Sequence, residues 1–77
     1  MNIVVYTKAN CPNCVAAKNL LKSKNLNYVE RDMDDPGEYM AFSMLFPDVR
    51  QMPQIFINQQ RVGGLAGLQA ALKQVGL

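Results

Sequence analysis

The feature that most constrains this chain is Cys11-Pro12-Asn13-Cys14, because it stands between a buried strand and an amphipathic helix. Residues 2–6, apolar from Ile3 onwards, predict the strand, and the pattern of residues 15–24 predicts the helix. Proline is favoured at the first helical position, since its fixed φ is already helical. Cys11 is therefore expected at the N-cap, where backbone N–H groups and the positive end of the helix dipole favour its thiolate.

Two cysteines and no histidine occur among the 77 residues. A disulfide across this spacing closes a tiny loop and restrains little of the unfolded chain, so it is poorly placed to stabilise a fold. A tetrahedral zinc site normally takes four cysteine or histidine ligands, which one copy lacks and only a dimer could pool. The position of the pair at a strand-to-helix junction favours a redox dithiol. The absence of histidine excludes Ser-His and Cys-His hydrolytic arrangements.

The first half of the chain predicts a parallel strand pair joined by a helix, followed by a second helix. Residues 27–33 alternate as in a half-exposed strand, and Asp35-Pro36-Gly37-Glu38 is typical of a helix start. Met40 and Met44 could face a partner, but they are interpreted as core-filling residues. The buried stripe of the second helix is expected to be Tyr39, Phe42, Leu45 and Phe46.

The second half predicts an antiparallel hairpin and a last helix. Residues 54–57 and 61–62 are the two strands, with residues 58–60 as the turn between them. Gly63-Gly64 is a break in the backbone before the helix. The apolar positions of that helix are Leu65, Leu68, Leu72 and Val75. The order β-α-β-α-β-β-α predicts an α/β fold with one mixed four-stranded sheet flanked by helices.

Length and charge limit the classes of partner. A chain that is 49% hydrophobic and this short supports one compact core, so residues 1–77 are expected to form one domain. No apolar run approaches the roughly 20 residues of a membrane span, and the chain start lacks secretory features, so we expect a cytoplasmic protein without membrane contact.

Residues 1–24 carry four lysines and no acidic residue, whereas residues 30–38 carry five acidic residues against one arginine. The positive cysteine end is expected to attract anionic partners, and without interleaved aromatic residues no nucleic-acid role is expected.

The order and spacing of these motifs resemble the glutaredoxin family, which has the thioredoxin-like fold. The resemblance lies in the C-P-x-C tetrad, in Met52-Pro53 before a strand, and in the double glycine before the last helix. It implies a thiol–disulfide oxidoreductase in which Cys11 attacks a disulfide and Cys14 resolves the mixed disulfide. It further implies glutathione as co-substrate, disulfide-containing proteins as substrates, no bound cofactor, no metal and a monomer. A cis bond between Met52 and Pro53 is also implied, and X-Pro is the bond where cis is least costly.

The resemblance also implies which residues surround the ligand. Lys8 would steady the thiolate or bind a substrate carboxylate, and Gln51 or Arg50 would act likewise. The full set implied for substrate or glutathione binding is Lys8, Pro12, Asn13, Gln51, Met52, Pro53, Gly63, Gly64 and Leu65.

One departure from the family pattern keeps other interpretations open. Many glutaredoxins follow the double glycine with a small polar residue and aspartates that hold the γ-glutamyl end of glutathione, whereas this chain has Leu65-Ala66-Gly67. An alternative is therefore a redoxin that thioredoxin reductase recharges and that donates electrons to ribonucleotide reductase. A second alternative is a glutathione-dependent carrier of an iron–sulfur cluster, and a third is an interaction module with an incidental cysteine pair.

Overall fold

The computed structural model describes residues 1–77 and confirms the predicted order of elements. The strands are β1 (Ile3–Thr7), β2 (Val29–Asp32), β3 (Gln54–Ile57) and β4 (Gln60–Gly63), and the helices are α1 (Pro12–Ser23), α2 (Pro36–Leu45) and α3 (Leu65–Gln74). The strands form one mixed sheet in the order β2-β1-β3-β4. β1 runs parallel to β2 and antiparallel to β3, and β4 runs antiparallel to β3. None of the helices combines the length and apolarity that crossing a membrane requires.

The aliphatic core lies on one face of the sheet, beneath α1 and α3. Side chains alternate between the two faces along a strand, so Ile3 and Val5 of β1 point to the same side, and both are buried. The other members of this core are Ala17, Leu21, Ile55, Leu68 and Leu72. The central place of β1, flanked on both edges, explains why nearly every residue of this strand is apolar.

An aromatic cluster covers the opposite face of the sheet. The Tyr6 ring centroid lies 4.8 Å from that of Phe42 on α2 and 5.7 Å from that of Phe56 on β3. Phe46 adds a further ring 5.0 Å from Phe42, and the guanidinium carbon of Arg61 lies 5.2 Å from the Phe46 centroid. Tilted and edge-on ring pairs of this kind fasten α2 to the sheet.

α2 buries less of its surface than the sequence predicts. Phe42 is buried, but Tyr39 and Leu45 are 58% and 74% exposed, so the predicted buried stripe is wrong for these two residues. Met40 and Met44 are 66% and 79% exposed, and their interpretation as core-filling residues is also wrong. The physical reason is that α2 rests on the sheet through a narrow aromatic contact, and no other element packs over its outer side.

The outer elements also differ in detail from the prediction. β2 is shorter than the predicted residues 27–33 and all four of its residues are exposed, because it is an edge strand. The hairpin turn holds two residues rather than three, since Ile57 already pairs with Gln60. Both turn residues, at positions 58 and 59, have positive φ, as two-residue hairpin turns require. Val75 forms the C-cap of α3 and is exposed rather than buried.

The packing of α3 against β4 requires a glycine at position 67. A β-carbon built on Gly67 would overlap the carbonyl oxygen of Val62 in β4. The absence of a side chain therefore lets the first turn of α3 lie directly on the strand. Close approach here limits which residues the start of this helix can carry.

We expect Gly67→Ala to destabilise the protein by about 1–3 kcal/mol, the usual cost of overpacking, despite the better helix propensity of alanine. The matched control is Gly37→Ala in α2, where the new β-carbon would lie 3.7 Å from Asp35 Oδ1 in ordinary contact. The Gly37→Ala variant is expected to be as stable as the wild type or slightly more stable. Guanidinium unfolding curves of both variants test this, and equal stability of the two would contradict the close approach.

Candidate active site

The dithiol lies at the point where β1 passes into α1. Asn10 has a φ of 55°, a left-handed conformation that asparagine tolerates well, and it turns the chain towards the helix. Cys11 is the N-cap and Pro12 follows at the first helical position, which confirms the prediction. The Cys14 N–H donates to Cys11 Sγ over 3.1 Å, so sulfur takes the place that a side-chain oxygen usually takes at an N-cap. No acidic residue lies in the first turn of α1 to oppose a thiolate.

The two cysteines differ in how far solvent reaches them. They are joined as a disulfide, with their Cα atoms 5.2 Å apart. Both are buried, but Cys11 keeps 8% of its surface exposed and Cys14 only 1%. A disulfide of another molecule can therefore meet the sulfur of Cys11 more readily than that of Cys14.

A cis peptide bond joins Met52 to Pro53 and confirms the predicted isomer. The Met52 carbonyl oxygen lies 3.4 Å from Cys11 Sγ, and Pro53 is buried beneath it. The backbone of Met52 thus borders the reactive sulfur directly. An extended chain bound at Cys11 would find these main-chain groups within reach.

Lys8, Pro12 and Asn13 are exposed around the dithiol. They share one shallow depression with Cys11 and Met52. Lys8 also lines a larger cleft of about 470 Å³ between α2 and the loop before Pro53. The cleft is lined by Lys8, Met33, Asp34, Tyr39, Ser43, Pro47, Val49, Arg50 and Met52.

Of the two residues expected to assist Lys8, the structure brings Arg50 to this cleft. Gln51 is exposed, lies outside the cleft lining, and its carbonyl accepts a hydrogen bond of 3.0 Å from the Gln54 side-chain amide. Two cations, Lys8 and Arg50, therefore lie along one cleft that begins at Met52. Asp34 also lines this cleft, but its carboxylate is bound to the Ala9 N–H, so the two cations favour a ligand with a negative charge.

The double glycine borders the buried proline. A β-carbon on Gly64 would lie 3.5 Å from the Pro53 carbonyl oxygen, and Gly63 has a φ of 101° that favours glycine. Leu65, which follows, is half-buried and packs its side chain against the aliphatic core. The side chain of Leu65 therefore serves the core, which leaves its backbone as the part that could contact a ligand.

Asp34 is a site residue that the sequence analysis did not find. Its Oδ2 accepts a 2.7 Å hydrogen bond from the Ala9 N–H, and its own N–H donates to Asp32 Oδ1 over 2.9 Å. The carboxylate ties the loop that carries Lys8 to the end of β2. No local pattern marks this contact, because 25 residues separate its partners.

Glu30 makes a second contact that the sequence analysis missed. Its Oε2 accepts hydrogen bonds of 2.9 Å from both Lys18 Nζ and Thr7 Oγ1. These two donors, Lys18 before Thr7, lower the pKa of Glu30 below its usual value of 4.5. In the sequence, the sign of this residue was its exposed position in the alternating pattern of residues 27–33. Only the pairing of β1 with β2 brings Glu30 to α1.

A cysteine pair joined as a disulfide at a strand-to-helix junction is typical of a thiol–disulfide oxidoreductase. Comparison with known proteins identifies the family. The glutaredoxin family model matches residues 3–62. Glutaredoxin 3 of Escherichia coli K12 is 36% identical over 76 residues, covering 99% of this chain and 92% of the relative. The chain belongs to the glutaredoxin family.

Solved structures agree with this assignment. Glutaredoxin 1 from Francisella tularensis, complexed with cacodylate, superposes with a TM-score of 0.79 at 28% identity, covering 96% of this chain and 94% of that one. The reduced glutaredoxin of Escherichia coli gives a TM-score of 0.74 at 30% identity, covering 96% and 95%. The mixed sheet and its three helices are therefore the thioredoxin-like fold that the motif order predicted.

We expect Glu30→Gln to remove a pH-dependent part of the stability. Because folding lowers the pKa of Glu30, its contribution is present above pH 4.5 and is lost as the pH falls through the lowered folded value. The wild type should exceed the variant in stability at pH 7, and the difference should shrink towards pH 2. Thermal unfolding of both proteins across this range measures it. The control Glu38→Gln removes a single, longer ion pair of 3.4 Å with Arg31 and should cost less at pH 7.

Proposed function

We propose that this oxidoreductase uses glutathione as co-substrate and reduces glutathione mixed disulfides as well as protein disulfides, with no bound cofactor. The observation that carries the proposal is the surroundings of Cys11, whose sulfur borders the Met52 main chain and opens towards Lys8. An extended thiol peptide with a terminal carboxylate matches a backbone edge beside a cation. We place this activity in the cytoplasm, where thiols are kept reduced, and assign it to a monomer.

The first step is attack of the Cys11 thiolate on the substrate disulfide. A bond forms between Cys11 Sγ and the sulfur under attack, and the other sulfur leaves as a thiolate that takes up a proton. The N–H of Cys14 and the start of α1 stabilise the thiolate before it attacks. When the substrate is a glutathione mixed disulfide, a second glutathione thiolate releases the adduct from Cys11.

A protein disulfide uses the second cysteine instead. Cys14 attacks Cys11 Sγ of the mixed disulfide, the intramolecular disulfide forms, and the second sulfur of the substrate leaves reduced. The burial of Cys14 suits it to this role, since a shielded thiol meets the neighbouring sulfur rather than other molecules. Glutathione then returns the oxidised pair to the dithiol.

Single cysteine variants test this division of roles. We expect Cys11→Ser to lose activity on both substrate types, because the reachable nucleophile is gone. Cys14→Ser should keep activity on a glutathionylated peptide and lose it on a protein disulfide. Turnover of both substrates by each variant measures this, and equal loss on both substrates by both variants would contradict it.

Lys8 provides a test of substrate recognition. We expect Lys8→Gln to raise the KM for a glutathionylated peptide by about 3–10-fold, the effect of losing about one exposed charge-assisted contact of roughly 1 kcal/mol. The matched control is Lys24→Gln at the C-cap of α1, which removes the same charge from an exposed position outside the clefts described. An identical KM in both variants would argue against Lys8 as a substrate contact.

A second candidate function is favoured by the start of α3. Leu65-Ala66-Gly67 offers no carboxylate for the amino group of glutathione, and Gly67 has no room for a side chain. This observation favours a redoxin that thioredoxin reductase recharges and that donates electrons to ribonucleotide reductase. Glutathione and thioredoxin reductase with NADPH should therefore be compared as donors to the oxidised protein by thiol titration. Fast reduction by glutathione supports the main proposal, and reduction by the reductase alone supports the second.

The carrier of an iron–sulfur cluster stays a prediction. It would need Cys11 from two chains together with glutathione, and in this structure Cys11 is paired with Cys14. No observation on the described residues favours it over thiol–disulfide exchange.

A further inference from the structure

Lys18 stands about one helical turn after Cys14, the cysteine assigned above to the resolving step. It follows Cys14 by four residues on α1, so the two side chains are neighbours on one face of the helix. Helical side chains lean towards the N-terminus, which directs the lysine stem towards Cys14. Lys18 lines the same surface depression as both cysteines, and its side chain is 25% exposed.

Glu30 fixes this lysine in place. In the parallel pairing, Val5 lies opposite Glu30, so the glutamate side chain points to the face of the sheet that α1 covers. There Glu30 Oε2 receives Lys18 Nζ and Thr7 Oγ1, each over 2.9 Å. Thr7 is buried at the end of β1 and has little freedom, so the carboxylate that it binds is also held.

We propose that Lys18, held by Glu30, stabilises the thiolate of Cys14 and thereby accelerates the resolving step. The inference rests on the roles proposed above for the two cysteines. In that step the Cys14 thiolate bonds to Cys11 Sγ, the bond from Cys11 to the substrate breaks, and the substrate thiolate takes up a proton from water. Two electrons pass from the dithiol to the substrate disulfide. Lys18 exchanges no proton or electron and acts only through its charge.

The other charged groups around Cys14 leave Lys18 as the one best placed to act. Lys8 lies across the same depression, and Lys22 stands a further turn along α1, facing Glu30 from farther off. Two acidic groups border this cluster without lining the depression: Glu30 binds Lys18, and Asp34 accepts a hydrogen bond from the N–H of Ala9, which lines it. Lys18 therefore lines the depression that holds the dithiol, whereas the carboxylate that binds Lys18 does not.

The first experiment measures the thiol of Cys14 directly. In a Cys11→Ser background Cys14 is the sole cysteine, and its thiolate absorbance in the ultraviolet is followed against pH. We expect Lys18→Met to raise the pKa of Cys14 by about one unit, at the lower end of the effect of a nearby opposite charge. Lys18→Arg should restore most of the shift, and the control Lys22→Met should give a clearly smaller one. An unchanged pKa in Lys18→Met, or an equal shift in Lys22→Met, would overturn the proposal.

The second experiment separates the two cysteines kinetically. With glutathione attached to Cys11, release of glutathione by Cys14 is followed in a single turnover, and Lys18→Met should slow it up to about tenfold near neutral pH. Turnover of a glutathionylated peptide in the Cys14→Ser background depends on Cys11 alone, and Lys18→Met should reduce it by a clearly smaller factor. An equal loss in both assays would place the effect on Cys11 and refute the assignment to Cys14. Full protein-disulfide reduction by Cys14→Ser would instead refute the proposed cysteine roles, whatever the pKa shows.

The positioning role of Glu30 is tested by combining substitutions. If Glu30 holds the ammonium in place, the effect of Lys18→Met on the Cys14 pKa should be smaller in a Glu30→Gln background than in the wild type. Circular dichroism and thermal unfolding confirm that each variant is folded at the temperature of the titration. Strictly additive effects of the two substitutions would rule out this role for Glu30.

Discussion

The hydrogen bond from the Cys14 N–H to Cys11 Sγ links the chemistry of this protein to its architecture. The sulfur that we propose as the nucleophile also closes the first turn of α1, so the helix begins at the proposed reactive residue. Position and reactivity therefore follow from one contact. A thiolate accepts such a bond more strongly than a neutral sulfur does, and the start of α1 is best satisfied when Cys11 is ready to react. The central strand β1 leads into this junction, and the main chain of Met52, which a cis bond joins to Pro53, borders it.

Local patterns predicted those parts of the fold that depend on neighbouring residues. The N-cap at Cys11, the proline after it, the order of elements and the mixed sheet all follow from short-range preferences and apolar spacing. The exposure of Tyr39 and Leu45 was not predicted in this way. The spacing of apolar residues does not show how much of a helix surface the neighbouring elements cover. The contacts of Asp34 and Glu30 could not be predicted from the sequence, for a related reason. Each joins groups far apart in sequence, and only strand pairing and the crossover helix bring them together.

The uneven charge of the chain acquires a different meaning in the folded protein. The sequence separates a lysine-rich start from an acidic middle, which predicts a positive cysteine end. In the fold the acidic stretch returns to that end through β2, where Glu30 binds Lys18 and Asp34 binds the loop that carries Lys8. Acidic groups thus orient the cations around the dithiol, and Lys8 and Arg50 remain to line the cleft.

The exposed charges of β2 also bear on how copies of this protein behave at high concentration. A free strand edge offers unpaired main-chain groups to any other strand, and charged side chains along it discourage that pairing. Glu30, Arg31 and Asp32 occupy this edge in succession, and two of them are engaged in ion pairs with helices of the same chain. A second molecule adding a strand here would have to accommodate or displace those pairs. The residues that organise the site therefore also protect the sheet against edge-to-edge aggregation.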